Sequence, residues 1–127
     1  MKWTDYKQQA QERGALALEF FVAQSTPVQG PEAVKAALPD HLAYISQLEA
    51  QGILAFAGPM SDETGEEMQG MGMLVFRAAS LEEARTIVDA DPMHTSGARQ
   101  FTLRRWLINE GSITLSIGLS SRSVALS

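Results

Sequence analysis

The chain contains no cysteine. That absence removes disulfides, thiolate nucleophiles and cysteine-based zinc or iron–sulfur sites together, leaving chemistry to His, Asp, Glu, Arg, Tyr or Ser. Histidine is scarce too, with two in 127 residues. Ten basic residues stand against fifteen acidic ones, a net charge of -5, and the basic residues make no run. Such a chain is poorly suited to a phosphate backbone, so no nucleic-acid partner is expected. No apolar run approaches the ~18 residues that a spanning helix needs. The opening "MKWTDYKQQAQERG" is too polar for a signal peptide. The expectation is a cytoplasmic protein without a membrane partner. Neither G-x-x-x-x-G-K nor G-x-G-x-x-G occurs, and "GMG" is too short for a phosphate loop, so no nucleotide cofactor is indicated.

What is present reads as an ordinary globular composition, 45% hydrophobic and 20% charged, in a chain long enough to bury its own core. The reading is one domain over 1–127, with its core at 15–108, an N-terminal helix within 1–14 and a C-terminal strand extension within 109–127. A polar helix is expected from about Thr4 to Arg13, stopped by Gly14. "ALALEFFVAQST" alternates as a strand does, with Leu16, Leu18, Phe20 and Val22 on one face and Glu19 and Phe21 on the other. "PVQGPEAVKAALPD" reads as a punctuated connection holding one helical turn, with Pro39 in the first turn of the next helix. Leu38, Leu42, Ile45 and Leu48 then recur at helical spacing until Gly52, and His41 shares their apolar face. "ILAFAGPM" and "GMGMLVFRA" form a hairpin around the acidic "SDETGEEMQG". Ser80 and Glu83 have the spacing of a capping box, opening a helix that buries Leu81, Ala84 and Val88. "ARQFTLRRWLI" and "SITLSIGLS" read as strands around the turn "NEG", and "SRSVALS" as a loose end or edge strand.

The main order, strand-helix-strand-strand-helix-strand, is the split βαβ pattern of a ferredoxin-like α+β domain. Both helices would cover one sheet face. An open face carrying Phe21 and Trp106 calls for a cover, and a homodimer packed sheet to sheet supplies one.

The residues "DHLAYISQLEAQGILAFAGPM" and "GMLVFRAASLEEARTIVDADPMHTSGAR" carry a His near the start of the first main helix, "GP" at the end of the next strand and "DP" after the second main helix. In this combination the chain resembles the YCII-related domain family, over about residues 15 to 108. The resemblance implies a ferredoxin-like, dimeric α/β-barrel fold related to muconolactone isomerase and small monooxygenases. It implies a His–Asp site matched here by His41 and Asp91. It also implies lyase-type or dehalogenating chemistry on small ring compounds.

The residues themselves allow more than one reading. His41 on an apolar face is either a satisfied core histidine or a general base. Asp91 before Pro92 is ordinary turn chemistry, or a carboxylate placed to orient His41, at the local cost of standing against a helix C-terminus. Asp89 reads as solvated or as a local cap. His94 and Arg99 read most simply as an exposed loop histidine and a strand-opening arginine; the alternative makes them a second acid/base group and a cation beside a carboxylate or phenolate. No short spacing such as H-x-x-x-H supports a metal at His41, His94 and Asp91. Met60, Met68, Met71, Met73 and Met93 read as core filling rather than a pocket lining.

The function these features favour is a cofactor-independent lyase or isomerase, with His41 as general base or acid, Asp91 as its orienting partner, and a small ring-shaped or enolisable substrate. The rival is a non-catalytic ligand-binding or interaction module of the same fold. A third reading is cofactor-free oxygenation.

Overall fold

The computed structural model describes residues 1–127 and divides into two compact units, Glu19–Trp106 and the flanking pair Met1–Leu18 with Leu107–Ser127. In chain order the helices are α1 (Trp3–Glu12), α2 (Pro31–Ala50), α3 (Leu81–Asp89) and α4 (Pro92–Thr95). The strands are β1 (Leu18–Pro27), β2 (Leu54–Pro59), β3 (Gly72–Phe76), β4 (Arg99–Ile108), β5 (Leu115–Gly118) and β6 (Ser123–Leu126).

In the larger unit the strands lie in the order β2-β3-β1-β4. β3 runs antiparallel to both β2 and β1. The end of β1 meets the start of β4, with the Val28 N–H donating to the Ala98 carbonyl at 3.0 Å, so that pair is antiparallel as well. This is the ferredoxin-like α+β arrangement. The sheet is open, and one chain closes no barrel.

Register decides which side chains meet the helices. Phe21 pairs with Phe76 and Ala23 with Leu74, and the core collects Ala23, Leu74, Phe76, Leu48 and Val88, with Phe101 and Leu103 of β4 packed against it. Phe21 is 1% exposed. Phe21 therefore faces the helices and not the open face expected for it: β1 alternates, but both of its faces carry apolar residues, so alternation alone does not fix the phase. The open face does carry Trp106, 41% exposed, and Phe56, 58% exposed. The pairing shifts between Leu54 and Phe56, the bulge that an edge strand often carries.

Two boundaries also differ from expectation. α2 is a 20-residue helix with Pro39 inside it, not a short turn followed by a helix that Pro39 opens. Proline leaves the carbonyl four residues back without its N–H, and both Lys35 and Pro39 lie on the exposed side of the helix. The inward stripe then runs Val34, Ala37, His41, Tyr44, Ile45 and Leu48. The second difference is α4, a short helix where the sequence suggests a loop. Ala33, Val34 and Ala37 of α2 pack with Met93 and Ala98, small side chains that let the short helix approach closely. α3 opens as its capping box requires, the Glu83 N–H donating to Ser80 Oγ at 3.1 Å. The Tyr44 hydroxyl ties α2 to α3 by donating to the Ile87 carbonyl at 2.6 Å. Burial pushes the Tyr44 phenol pKa up, and the Asp91 charge adds to this.

In the flanking unit α1 ends near its expected position, with Gly14 at φ +81°. Ala10, Ala17 and Leu107 form its small core. β5 does not pair with β4 around "NEG". It pairs with β6 as a separate two-stranded sheet, with Leu115 opposite Leu126 and Ile117 opposite Val124. The tail read as a loose end or edge strand is thus the second strand of this hairpin.

Truncation of Phe76 to Ala removes an aromatic ring from the centre of the larger core. It is expected to lower unfolding free energy by about 3–5 kcal/mol, read from urea denaturation followed by circular dichroism.

Candidate active site

The first element of the site is a turn. α3 ends at Asp89, and two residues later Asp91 caps α4, its Oδ1 accepting the Met93 N–H at 2.9 Å with Pro92 in the first helical turn. A carboxylate at a helix N-terminus is favoured. The dipole cost expected for Asp91 therefore does not arise, because the residue belongs to the helix that follows. Asp91 is 2% exposed. Such a buried carboxylate needs partners, and α2 supplies the second one: His41 Nδ1 lies 2.8 Å from Oδ1 and 2.9 Å from Oδ2. Because a carboxylate only accepts, Nδ1 carries the proton in neutral His41, and the Nε2 lone pair is left without a protein partner. One side chain thus fixes the tautomer of the other.

The second histidine is arranged differently. His94 Nδ1 is 2.8 Å from the Val88 carbonyl, which can only accept, and Nε2 is 2.9 Å from Ser25 Oγ. Ser25 in turn accepts from Arg99 Nε at 2.9 Å. A neutral His94 satisfies every donor in this chain, with Arg99 donating to Ser25, Ser25 to His94 and His94 to Val88. Phe101 packs on its ring at 4.7 Å between centroids. His94 is neither an exposed loop residue nor a free base. Arg99 Nη2 donates to the Ser25 carbonyl at 2.7 Å and to the Gly70 carbonyl. Burial lowers the Arg99 pKa, and Asp91 partly offsets this.

These residues line one cavity of about 640 Å³ between α2, the sheet and the β2–β3 connection, together with Leu38, Leu42 and Ile45 of α2. That volume suits a drug-sized or smaller ligand. Met68, Met71, Met73 and Met93 line it as well, so four of the five methionines expected as core filling form its wall. The acidic part of the connection folds on itself instead. Asp62 accepts from the Thr64 N–H at 3.0 Å and from the Thr64 hydroxyl, which holds its carboxyl below the usual range. Gly70 is held at φ +94°, and a Cβ there would lie 2.9 Å from Pro27 Cγ, so only glycine brings this carbonyl onto Arg99. His41, Asp91 and His94 make no three-ligand metal set.

Sequence reasoning brought forward four of the residues that meet here, His41, Asp91, His94 and Arg99. It missed Ser25, which is 3% exposed. The available signal was a polar residue on the inward face of a strand otherwise filled by Phe21 and Ala23.

The model of the YCII-related domain matches residues 17–107. The chain belongs to that family. The match coincides closely with the larger unit, Glu19–Trp106. Uncharacterized protein YjpA of Bacillus subtilis (strain 168), for its part, is 37% identical over 70 residues, 55% of this chain and 75% of YjpA. A solved structure, 5-chloro-2-hydroxyhydroquinone dehydrochlorinase (TftG) from Burkholderia phenoliruptrix AC1100 in complex with 2,5-dihydroxybenzoquinone, is similar at a TM-score of 0.50 and 20% identity. It covers 68% of this chain and 92% of its own. At that identity the likeness establishes the shared fold of this YCII-family chain and the dehydrochlorinase.

In their neutral forms both imidazoles are expected as Nδ1–H tautomers in long-range proton–nitrogen correlation spectra. Ser25→Ala should change the His94 pattern and leave that of His41 in place; an unchanged His94 would contradict the hydrogen-bond chain.

Proposed function

We propose that this YCII-family protein is a cofactor-independent small-molecule enzyme of lyase or isomerase type, with His41 as the general base. The observation that carries this reading is the His41 Nε2 lone pair. It belongs to an imidazole oriented through Nδ1 by a buried carboxylate, and it lines a largely apolar cavity of about 640 Å³. A base of this kind takes a proton from an acidic carbon or hydroxyl of a ring or enolisable substrate. The imidazolium that forms is stabilised by Asp91 across the 2.8 Å contact. The electron pair left on the substrate expels a leaving group, which is elimination, or accepts the proton back at another carbon, which is isomerisation. Neither outcome requires a redox partner. Hydroxylated ring compounds are the first class to screen, since the dehydrochlorinase of similar fold was solved with 2,5-dihydroxybenzoquinone bound.

Chlorinated hydroxyquinols and related rings serve as test substrates, with chloride release or absorbance as the signal of turnover. His41→Ala should abolish it. Asp91→Asn keeps the α4 cap but removes the charge, and should lower turnover about 10²–10⁴-fold. Turnover that survives His41→Ala would sink the reading.

We further propose that the protein acts as a cytoplasmic homodimer. The support is exposed apolar surface, namely Phe56 and Trp106 on the open sheet face and, separately, the hairpin face of Leu115, Ile117, Val124 and Leu126. An isolated two-stranded hairpin is marginal in water, so cover from a second copy would stabilise it. Sedimentation equilibrium at micromolar concentration should give twice the chain mass of 13.8 kDa, and Trp106→Asp or Ile117→Asp should shift the mass toward the monomer.

A further inference from the structure

Arg99 is the only Lys or Arg side chain lining the cavity. Its protein contacts are all to uncharged oxygens: Nε to Ser25 Oγ at 2.9 Å, and Nη2 to the Ser25 and Gly70 carbonyls. A half-buried guanidinium usually faces a carboxylate, because removing the cation from water without an opposite charge is costly. The nearest acid, Asp91, is already engaged by His41 Nδ1 and the Met93 N–H. Nη1 has no protein acceptor at all.

The guanidinium is also held still. Ser25 is fixed by His94, and His94 by the Val88 carbonyl at the end of α3 and by the Phe101 ring. The Gly70 carbonyl arrives from the opposite side on a backbone that tolerates no side chain. Four segments therefore converge to aim one donor nitrogen, and they leave the guanidinium without a directly bonded carboxylate in a wall made mostly of methionine and aliphatic carbon.

We infer that Arg99 Nη1 is an anion anchor, and that the ligand of this cavity is a small ring compound bearing an anionic oxygen, either carboxylate or phenolate. This deepens the catalytic reading above and rests on it for the role of His41. The two groups divide the work. Arg99 binds and orients the charged end by a charge-assisted hydrogen bond, and His41 meets the reacting proton. Ser25 and His94 are positioning residues, acting through Arg99 rather than on the ligand.

The test is a binding measurement that needs no turnover. Calorimetric or NMR titrations would compare two pairs of probes that differ in charge but little in shape: benzoate with benzamide, and 4-nitrophenolate with 4-nitroanisole at mildly alkaline pH. Wild-type protein should favour at least one anion over its neutral partner by about tenfold or more. A preference confined to benzoate assigns the carboxylate; one confined to nitrophenolate assigns the phenolate. Arg99→Gln should abolish the preference, and Arg99→Lys should retain part of it, because the charge remains while the planar fork is lost. His94→Gln should weaken the preference less than Arg99→Gln does. Equal binding within both pairs, no binding of any probe, or an unchanged preference in a folded Arg99→Gln protein would overturn the anchor. The wild-type comparison decides even if that variant fails to fold. His41→Asn separates this proposal from the catalytic one, since it should keep the preference while turnover is lost. Turnover intact in that variant refutes the base and leaves the anchor standing.

Discussion

The Asp91 carboxylate holds the site together by serving two donors at once. It accepts the first free N–H of α4 and the Nδ1–H of His41, so the turn after α3, the short helix and the long α2 are fixed by a single buried charge. Neither contact alone would explain why an acid sits 2% exposed in this core. Together they supply the hydrogen bonds that a buried carboxylate requires, and the geometry that follows leaves one nitrogen of the cavity-lining imidazole without a protein partner. Local folding and site assembly are here the same event, because the cap that ends the chain reversal also orients the histidine.

The two histidines show how environment assigns different tasks to identical side chains. His41 uses one nitrogen for structure and keeps the other free. His94 spends both, one on the Val88 carbonyl and one on Ser25, and so functions as a strut between α3, β1 and β4. Asp91 and Arg99 divide in a similar way, the acid satisfied by the protein and the cation supplied only with neutral oxygens. The cavity wall thus holds an imidazole with one nitrogen engaged by a carboxylate and a guanidinium hydrogen-bonded only to uncharged oxygens.

Much of this was legible in the sequence. Alternation and helical spacing gave the β2–β3 hairpin, the capping box of α3 and the inward placement of His41, and the order of elements gave the ferredoxin-like class. The errors share a cause: a local signal was overruled by context outside its window. Pro39 reads as a helix opening, yet α2 passes through it on the helix's exposed side. Phe21 and Phe20 are equally apolar, and only pairing with Phe76 shows which one turns inward. Four residues make α4 too short for any periodicity, although "DP" states its N-cap and first turn plainly once a helix is suspected. Ser25 could not be found by motif, since its role depends on partners 69 and 74 positions away.

The methionines of the cavity wall give it a property that its polar groups lack. Unbranched thioether chains change rotamer at little cost and stay polarisable in each position, so Met68, Met71 and Met73 form a surface that conforms to whatever ring lies against it. Beside the rigid arrangement of His41 and Arg99, such a wall makes substituent shape a weak filter. Changes among these pliable side chains can reshape the cavity while the hydrogen bonds of His41 and Arg99 stay where they are.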